Sequence, residues 1–428
     1  MIGGREDPPA APDFYLDDAS QSHNRGATQR YRDNVHAIRI LRTLAAESRS
    51  AVHDERLALA RYVGWGGLKG VFDPNNKQWS KEHAELRALL NDTEWAAASR
   101  SQLDSFYTPA VPVKAIYAAA RRLGFEHGRT LEPSIGVGNF FGLMPQEMRE
   151  RSTLHGVELD VLTSQIVAAL YPKAVIAKAT GFENYKMPGG YFDMVVGNPP
   201  FGSHMVSDDS GSAYSGWQIH SYFFAKSIEL LRPGGIMPMV VTHNFLDKLD
   251  PHVRRWIARR AELVSGVRLP ETVFKASANS EIVTDILIFR RLDEENTLGK
   301  SETPDWLDTS EVTVEDPTTG DTHAVTINNY FINNPQNVLG TNAATGGMYR
   351  GNEYSVIPNG DIEEQLAQWV SRLPQGIYVP AERNIDELQT DATVVPDGVK
   401  EGSFFVQGGE VMQRLSDLHG HQRAVKWT

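Results

Sequence analysis

The chain contains no cysteine, which excludes disulfides, thiolate metal sites and a cysteine nucleophile. It has no apolar run long enough to span a bilayer. The opening Met1-Ile2-Gly3-Gly4-Arg5-Glu6-Asp7-Pro8-Pro9 lacks the apolar core of a signal peptide, so a cytoplasmic protein with no membrane partner is expected. Positive charge is scarce as well. The 428 residues carry 42 Lys and Arg against 54 Asp and Glu, a formal net charge of −12. That argues against a uniformly basic nucleic-acid coat, so any contact with nucleic acid must be local. Arg121-Arg122, Arg254-Arg255 with Arg259-Arg260, and Arg290-Arg291 are the candidate clusters, although each reads first as an ordinary solvated helix or strand end. There is no internal repeat, no metal-spaced His/Asp set and no nucleotide-triphosphate loop. With 41% hydrophobic and 22% charged residues, the chain has the composition of a globular protein with room for two or three domains.

Its organising stretch is Phe192-Asp193-Met194-Val195-Val196-Gly197-Asn198-Pro199-Pro200-Phe201. The β-branched run predicts a buried strand that stops at two prolines, which cannot donate to a sheet ladder and stiffen the turn. A rigid strand tip of this kind presents one amide side chain, carbonyls of fixed direction and an aromatic ring. Those parts suit attack on an electrophile by an exocyclic amino group, whose lone pair is delocalised into the adjacent π system. Two acceptors, the Asn198 side-chain oxygen and the Pro199 carbonyl, would grip the two N–H hydrogens and localise the lone pair. Phe201 would stack on the flat group, so that catalysis comes from position and preorganised dipoles. The alternative is a surface turn with Phe201 as a core anchor.

Read in order, residues 1–25 are rich in Pro, Asp, Ser and Gly and predict a loosely attached arm. Residues 26–104 predict a helical region, with helices at 28–46, 54–63, 81–90 and 92–101. It is interrupted by Gly64-Trp65-Gly66-Gly67-Leu68, either a helix end with Trp65 packed beneath it or a loop bordering a ligand. A domain over 105–292 follows. Thr108 is a candidate helix cap with Pro109 in the first turn. Leu131-Glu132-Pro133-Ser134-Ile135-Gly136-Val137-Gly138 is a strand followed by a glycine turn suited to close backbone approach. The acid Glu158 lies about 20 residues further on, where a doubly wound fold holds ribose hydroxyls. Gly202–Trp217 has no periodicity and predicts a mobile loop. Alternating strands and helices through 289 predict seven strands in a three-layer α/β domain. Residues 293–428 predict a small mixed α+β region, with a hairpin at 312–327 and a helix at 362–372.

These residues resemble the adenine-N6 DNA methyltransferases that use S-adenosylmethionine, a family with a seven-stranded Rossmann-like fold. The resemblance implies that Tyr107, Thr108 and Pro109, within Phe106-Tyr107-Thr108-Pro109, hold the methionine end of the cofactor together with Glu132, Pro133, Ser134, Gly136 and Gly138. It implies that Glu158, beside Leu159, takes the ribose and that Asn198-Pro199-Pro200-Phe201 is the catalytic motif, with Asn198 also near the cofactor. Phe274, ahead of the last strand, would pack with Phe201 on an adenine flipped out of DNA. Cofactor motifs precede the catalytic motif, which is similar to the γ arrangement. Where the family has Asp-Phe beside the cofactor adenine, this chain has Gly181-Phe182, then Glu183, so Phe182 lines the adenine and its amino group lacks an assigned acceptor. Tyr62–Leu68 and Tyr330-Phe331 with Asn337-Val338-Leu339-Gly340 resemble methylase regions of large phage and conjugative-element proteins, which implies a helicase or specificity partner. Enzymes that methylate RNA bases or protein glutamine share the catalytic turn. They remain an alternative, as does a non-catalytic binding subunit.

Overall fold

Seven stretches form one sheet among the described residues: β1 (Arg129–Glu132), β2 (Thr153–Glu158), β3 (Val175–Lys178), β4 (Phe192–Val195), β5 (Leu231–Thr242), β6 (Ala261–Leu269) and β7 (Thr284–Arg291). Their order is β3-β2-β1-β4-β5-β7-β6. All neighbours are parallel except β7, which runs antiparallel to both β5 and β6. The computed structural model describes residues 12–16, 25–101, 108–274, 282–296, 303–346, 352–381 and 399–426, apart from 401, 408–409 and 417–421. Tyr107, most of the N-terminal arm and the end of the 272–280 loop lie outside them. Two units result, Met1–Val379 and Pro380–Thr428. The smaller holds an antiparallel three-stranded sheet of Phe404–Gln407, Glu410–Ser416 and Gln422–Lys426.

Every residue of β4 is buried, as a strand covered on both faces requires. Asp193 is the one acid in it. Burial would raise its carboxyl, but the Arg129 and Arg232 guanidiniums and the Arg129 amide (2.7 Å) outweigh that and hold it below the ordinary range. Strand order reverses between β1 and β4, a switch point that opens a crevice at the strands' carboxyl ends. β5 starts at Leu231 rather than near Ile236. Arg232-Pro233-Gly234-Gly235 is absorbed as a bulge, since Phe192 pairs with Leu231 but Met194 with Ile236, and a bulge tolerates proline.

The helices Ala27–Glu47, His53–Leu59, Ser80–Leu89 and Asp92–Ser101 make up the N-terminal region. Trp65 is fully buried among Tyr31, Val35, Ile38 and Leu86, so its glycine loop is a packed helix end rather than a ligand border. Gly64 and Gly67 have φ of 64° and 75°, and the buried Asn34 clamps the loop by accepting from Val63 N (2.9 Å) and donating to Gly64 O (2.6 Å). The described part of the N-terminal arm is docked, not loose. Phe14 and Leu16 are buried, and their amides donate to Leu170 O and Gly142 O.

A second sheet, β8 (Thr309–Glu315), β9 (Thr322–Asn328), β10 (Thr341–Gly346) and β11 (Asn352–Ile357), is ordered β9-β8-β10-β11. It joins the first through the fully buried Arg268, which pairs bidentately with Asp285 (2.8 and 2.9 Å) and also with Asp247 (2.9 Å). Asp247 in turn accepts from the amide of Asn328 (2.8 Å). Several arginines of the sequence clusters are spent internally: Arg254 on Leu307 O, Arg122 on Leu373 O, Arg290 on Glu262 and Arg260 on Glu295. No helix among the described residues is long and apolar enough to cross a membrane.

Candidate active site

A cleft of about 670 Å³ opens at the switch point between β1 and β4, a size suited to a cofactor together with a substrate group. Two turns form its floor. The first leaves β1 as Glu132-Pro133-Ser134-Ile135-Gly136-Val137-Gly138. Gly136 and Gly138 have φ of 56° and 81°, and a Cβ on Gly138 would lie 2.4 Å from the Tyr171 ring, so that position requires glycine. Tyr171 closes the turn by donating its hydroxyl to Gly138 O (2.9 Å). The second turn leaves β4, whose ladder continues past its last residue: Val196 N donates to Leu131 O and Val240 N to Gly197 O, both at 2.9 Å. That fixes Asn198-Pro199-Pro200-Phe201 on the strand tip. Ser134 Oγ donates to Asn198 O (3.1 Å) and ties the two turns together.

Thr108, Glu132, Pro133, Ser134, Gly136, Glu158, Leu159, Gly181, Phe182 and the whole Asn198–Phe201 turn line this one cleft. Pro109, Gly138 and Phe274 do not. Pro109 itself is the cap residue of the helix Ala110–Arg122, in place of Thr108, whose carbonyl instead accepts from Asn139 Nδ2 (3.2 Å). Gly138 acts on the turn's shape. Phe274 is fully buried in the principal core. It ends a 3-10 turn whose Glu271 is held by Ser355, so its expected stacking on a base does not match its position.

Acid dominates the lining. Glu158 accepts from Gly136 N (2.8 Å) and Asp160 N (2.7 Å). Burial nevertheless raises its carboxyl to about 7, with the Asp160 charge adding and the amides opposing. Glu132 is pushed well above the carboxylate range by burial first and then by the Glu158 charge. Glu132 Oε2 and Thr108 Oγ1 are buried with no hydrogen-bond partner among the described residues. A buried polar atom is costly unless a ligand completes it.

The acid missing at position 181 has a spatial replacement. A Cβ built on Gly181 would meet Glu183 Oε1 at 2.1 Å, so the Glu183 carboxylate fills the volume an aspartate there would take. Lys226 braces this turn. Its buried ammonium donates to Phe182 O and Glu183 O and lies 4.9 Å from the Phe182 ring centre. Sequence reasoning missed the roof of the cleft. Thr93, Ala97, Arg100 and Ser101, one face of the helix Asp92–Ser101, and Met205 and Val206 also line it. Positions at i, i+4, i+7 and i+8 share a helix face, a signal visible in the sequence, but nothing local says what that face meets.

Residues 142–274 match the family described as Eco57I restriction-modification methylase. That stretch is similar to an Eco57I-type methylase. Among curated relatives it is 25% identical over 262 residues, 60% of this chain and 10% of the relative, to the Defense against restriction protein B of Escherichia phage P1. It is 24% identical over 216 residues, 48% of this chain and 96% of the relative, to the rRNA N(6)-adenosine-methyltransferase metl-5 of Caenorhabditis elegans. It thus spans about a tenth of the phage protein's length. Among solved structures, the type I restriction enzyme EcoKI M protein aligns with a TM-score of 0.38 at 14% identity, over 83% of this chain and 90% of that one. S-adenosylmethionine is the cofactor expected of a methylase domain. The cleft suits it: the orphaned Glu132 oxygen fits an ammonium, Glu158 fits a diol, and the glycine turn leaves room beside them.

Proposed function

We propose that this protein transfers a methyl group from S-adenosylmethionine to the N6 amino group of an adenine in DNA. The observation that carries the reading is the Ser134–Asn198 link, which joins a cofactor-type glycine turn and a rigid Asn-Pro-Pro-Phe turn in one cleft. In this reading Glu132 and Thr108 hold the methionine end, Glu158 the ribose, and Phe182 with Glu183 the cofactor's adenine. Asn198 Oδ1 and the Pro199 carbonyl accept from the two N6 hydrogens and localise the lone pair, while Phe201 holds the base plane. The cofactor supplies the electrophilic methyl group, and the target nitrogen sheds its proton after attack.

DNA is favoured over other amino-group substrates by the restriction-modification methylase match. The nematode relative, named for rRNA adenosine, keeps RNA as the second reading. The deciding assay uses purified protein and tritiated S-adenosylmethionine with unmethylated duplex DNA, RNA and a cell protein extract in parallel. The expected product is DNA that digests to N6-methyl-2′-deoxyadenosine, with turnover lost in Asn198→Ala while cofactor binding persists. Label in RNA or protein alone, or an Asn198→Ala enzyme of normal rate, would overturn the reading.

A further inference from the structure

Residues 202–219 leave the Asn198–Phe201 turn and return to it. They form a braced hairpin, not the mobile loop their composition predicts. Met205-Val206 pairs antiparallel with Trp217-Gln218, and Asp208 accepts from Ser210 Oγ and, at 2.6 Å, from the hydroxyl of Tyr222 on the helix Ile219–Leu230. Ile219 N donates to His204 O (2.9 Å) and closes the return. The residue delivered there, His220, stands against Phe201 with ring centres 6.0 Å apart and planes 32° from parallel. His220 also stacks with Phe245 (6.2 Å, 29°), Phe245 packs on Phe224 (4.2 Å, 34°), and Phe224 meets Phe289 of β7 edge to face (6.0 Å). Such spacings are those of attractive ring pairs. A line of rings thus runs from Phe201, half-buried at the cleft, to the fully buried Phe224 and the sheet.

Within this line His220 is the one ring with a polar atom. Its Nε2 is buried and has no hydrogen-bond partner among the described residues. Burial first, and then the Lys248 and His204 charges, lower its pKa to about 4, so the ring is neutral near pH 7 and packs as an aromatic plate rather than a cation. His220 does not line the cleft, and its buried nitrogen is closed to a ligand entering there. What it offers the site is therefore the ring at the back of Phe201. A phenylalanine on a turn settles into the rotamer its neighbours leave it, and the ring behind it decides the plane it presents. Reacting atoms are sensitive to such a plane, because a misplacement of about 1 Å costs on the order of 100-fold in rate. We propose that His220 is a positioning residue: by backing Phe201 it fixes the plane in which the target base is held, and so aligns the amino group with the methyl group without touching either. The inference rests on the methyltransferase reading above, in which Phe201 holds the base, and adds to it a residue outside the cleft.

The test measures kcat and KM for methyl transfer into unmethylated DNA at saturating S-adenosylmethionine, with S-adenosylhomocysteine titrated into the same preparations. His220→Ala removes the support, and kcat per titrated site should fall by about 10- to 100-fold. Cofactor affinity should stay within about twofold, since the lost alignment acts on the transition state and not on cofactor binding. Counting sites separates this from a folding defect, which lowers the number of sites and leaves the rate at each one unchanged. His220→Phe keeps a ring and discards the nitrogen, and it should hold the rate within about threefold of the parent, as a swap of similar volume. His220→Gln keeps a polar nitrogen but no ring and should be as slow as the Ala variant. A Gln variant faster than the Phe variant, or an Ala variant with the parent's rate per site, would overturn the inference and leave the methyltransferase reading intact. A parent protein that binds the cofactor but transfers no methyl group to DNA would instead overturn that reading, and this inference with it.

Discussion

Glu158 offers the most quantitative handle on the site. Its carboxyl is raised from 4.5 to about 7 by burial, although two amides hold it. A ribose diol donates two hydroxyls and therefore selects the ionised form, which only accepts. Cofactor affinity should then rise with pH until Glu158 is ionised and level off above about 7. Below that point each pH unit should weaken binding about tenfold, because binding must release one proton. Isothermal titration of S-adenosylhomocysteine from pH 5.5 to 8.5, in buffers of different ionisation enthalpy, reads both the affinity and the proton count. Glu158→Gln should remove the slope below pH 7. At pH 8 it should cost roughly 10- to 100-fold in affinity, the scale of a hydrogen bond to a charged group. Any slope that persists in the variant belongs to Glu132, whose carboxyl burial also raises.

The same shift has a consequence without ligand, and its sign runs the other way. A carboxyl whose folded pKa lies above its unfolded value contributes stability in full below the unfolded value, and that contribution is lost as pH rises through the folded one. The window here is 4.5 to about 7. The parent protein should therefore lose on the order of 3 kcal/mol relative to Glu158→Gln between pH 4.5 and pH 8. Urea unfolding of the two proteins at both pH values measures the difference. Equal pH slopes in cofactor binding for parent and Gln variant between pH 5.5 and 7 would refute the assignment of Glu158 to the ribose.

Two further outcomes are expected. Glu183→Ala should weaken S-adenosylhomocysteine roughly tenfold, the scale of one lost hydrogen bond; adding Gly181→Asp should restore affinity, and a double variant no tighter than the single one would show that the vacated volume is not an acceptor site. Arg268→Met leaves Asp285 and Asp247 buried without their shared counter-charge, so calorimetry should find the protein destabilised by about 3–5 kcal/mol.

The Asn198–Phe201 turn was legible because its information is local. Two prolines and an asparagine after a β-branched run dictate a rigid strand tip whatever surrounds them. The strands, the glycine turn with Glu158 at its distance, and the helix at 362–372 were equally readable from period and punctuation. Where the reading erred or stayed open, the deciding contact lies far along the chain. Glycine at 64 and 67 announces positive φ, but positive φ serves a packed helix end as well as a ligand loop, and Asn34 and the Trp65 pocket settle which. Phe274 had the right neighbours in sequence, yet its direction is set by a turn that Ser355 holds from another sheet.

The hairpin at 205–218 is the most instructive of these. Its Ser, Gly and Asp content predicts mobility, but Ser210, Ser212, Ser215 and Tyr222 all bond to Asp208. Composition records how many groups can hydrogen-bond, not whether a partner is within reach. A polar loop whose side chains bond inward can be rigid. The segment that looked least structured in the sequence is therefore a fixed part of the cleft's wall.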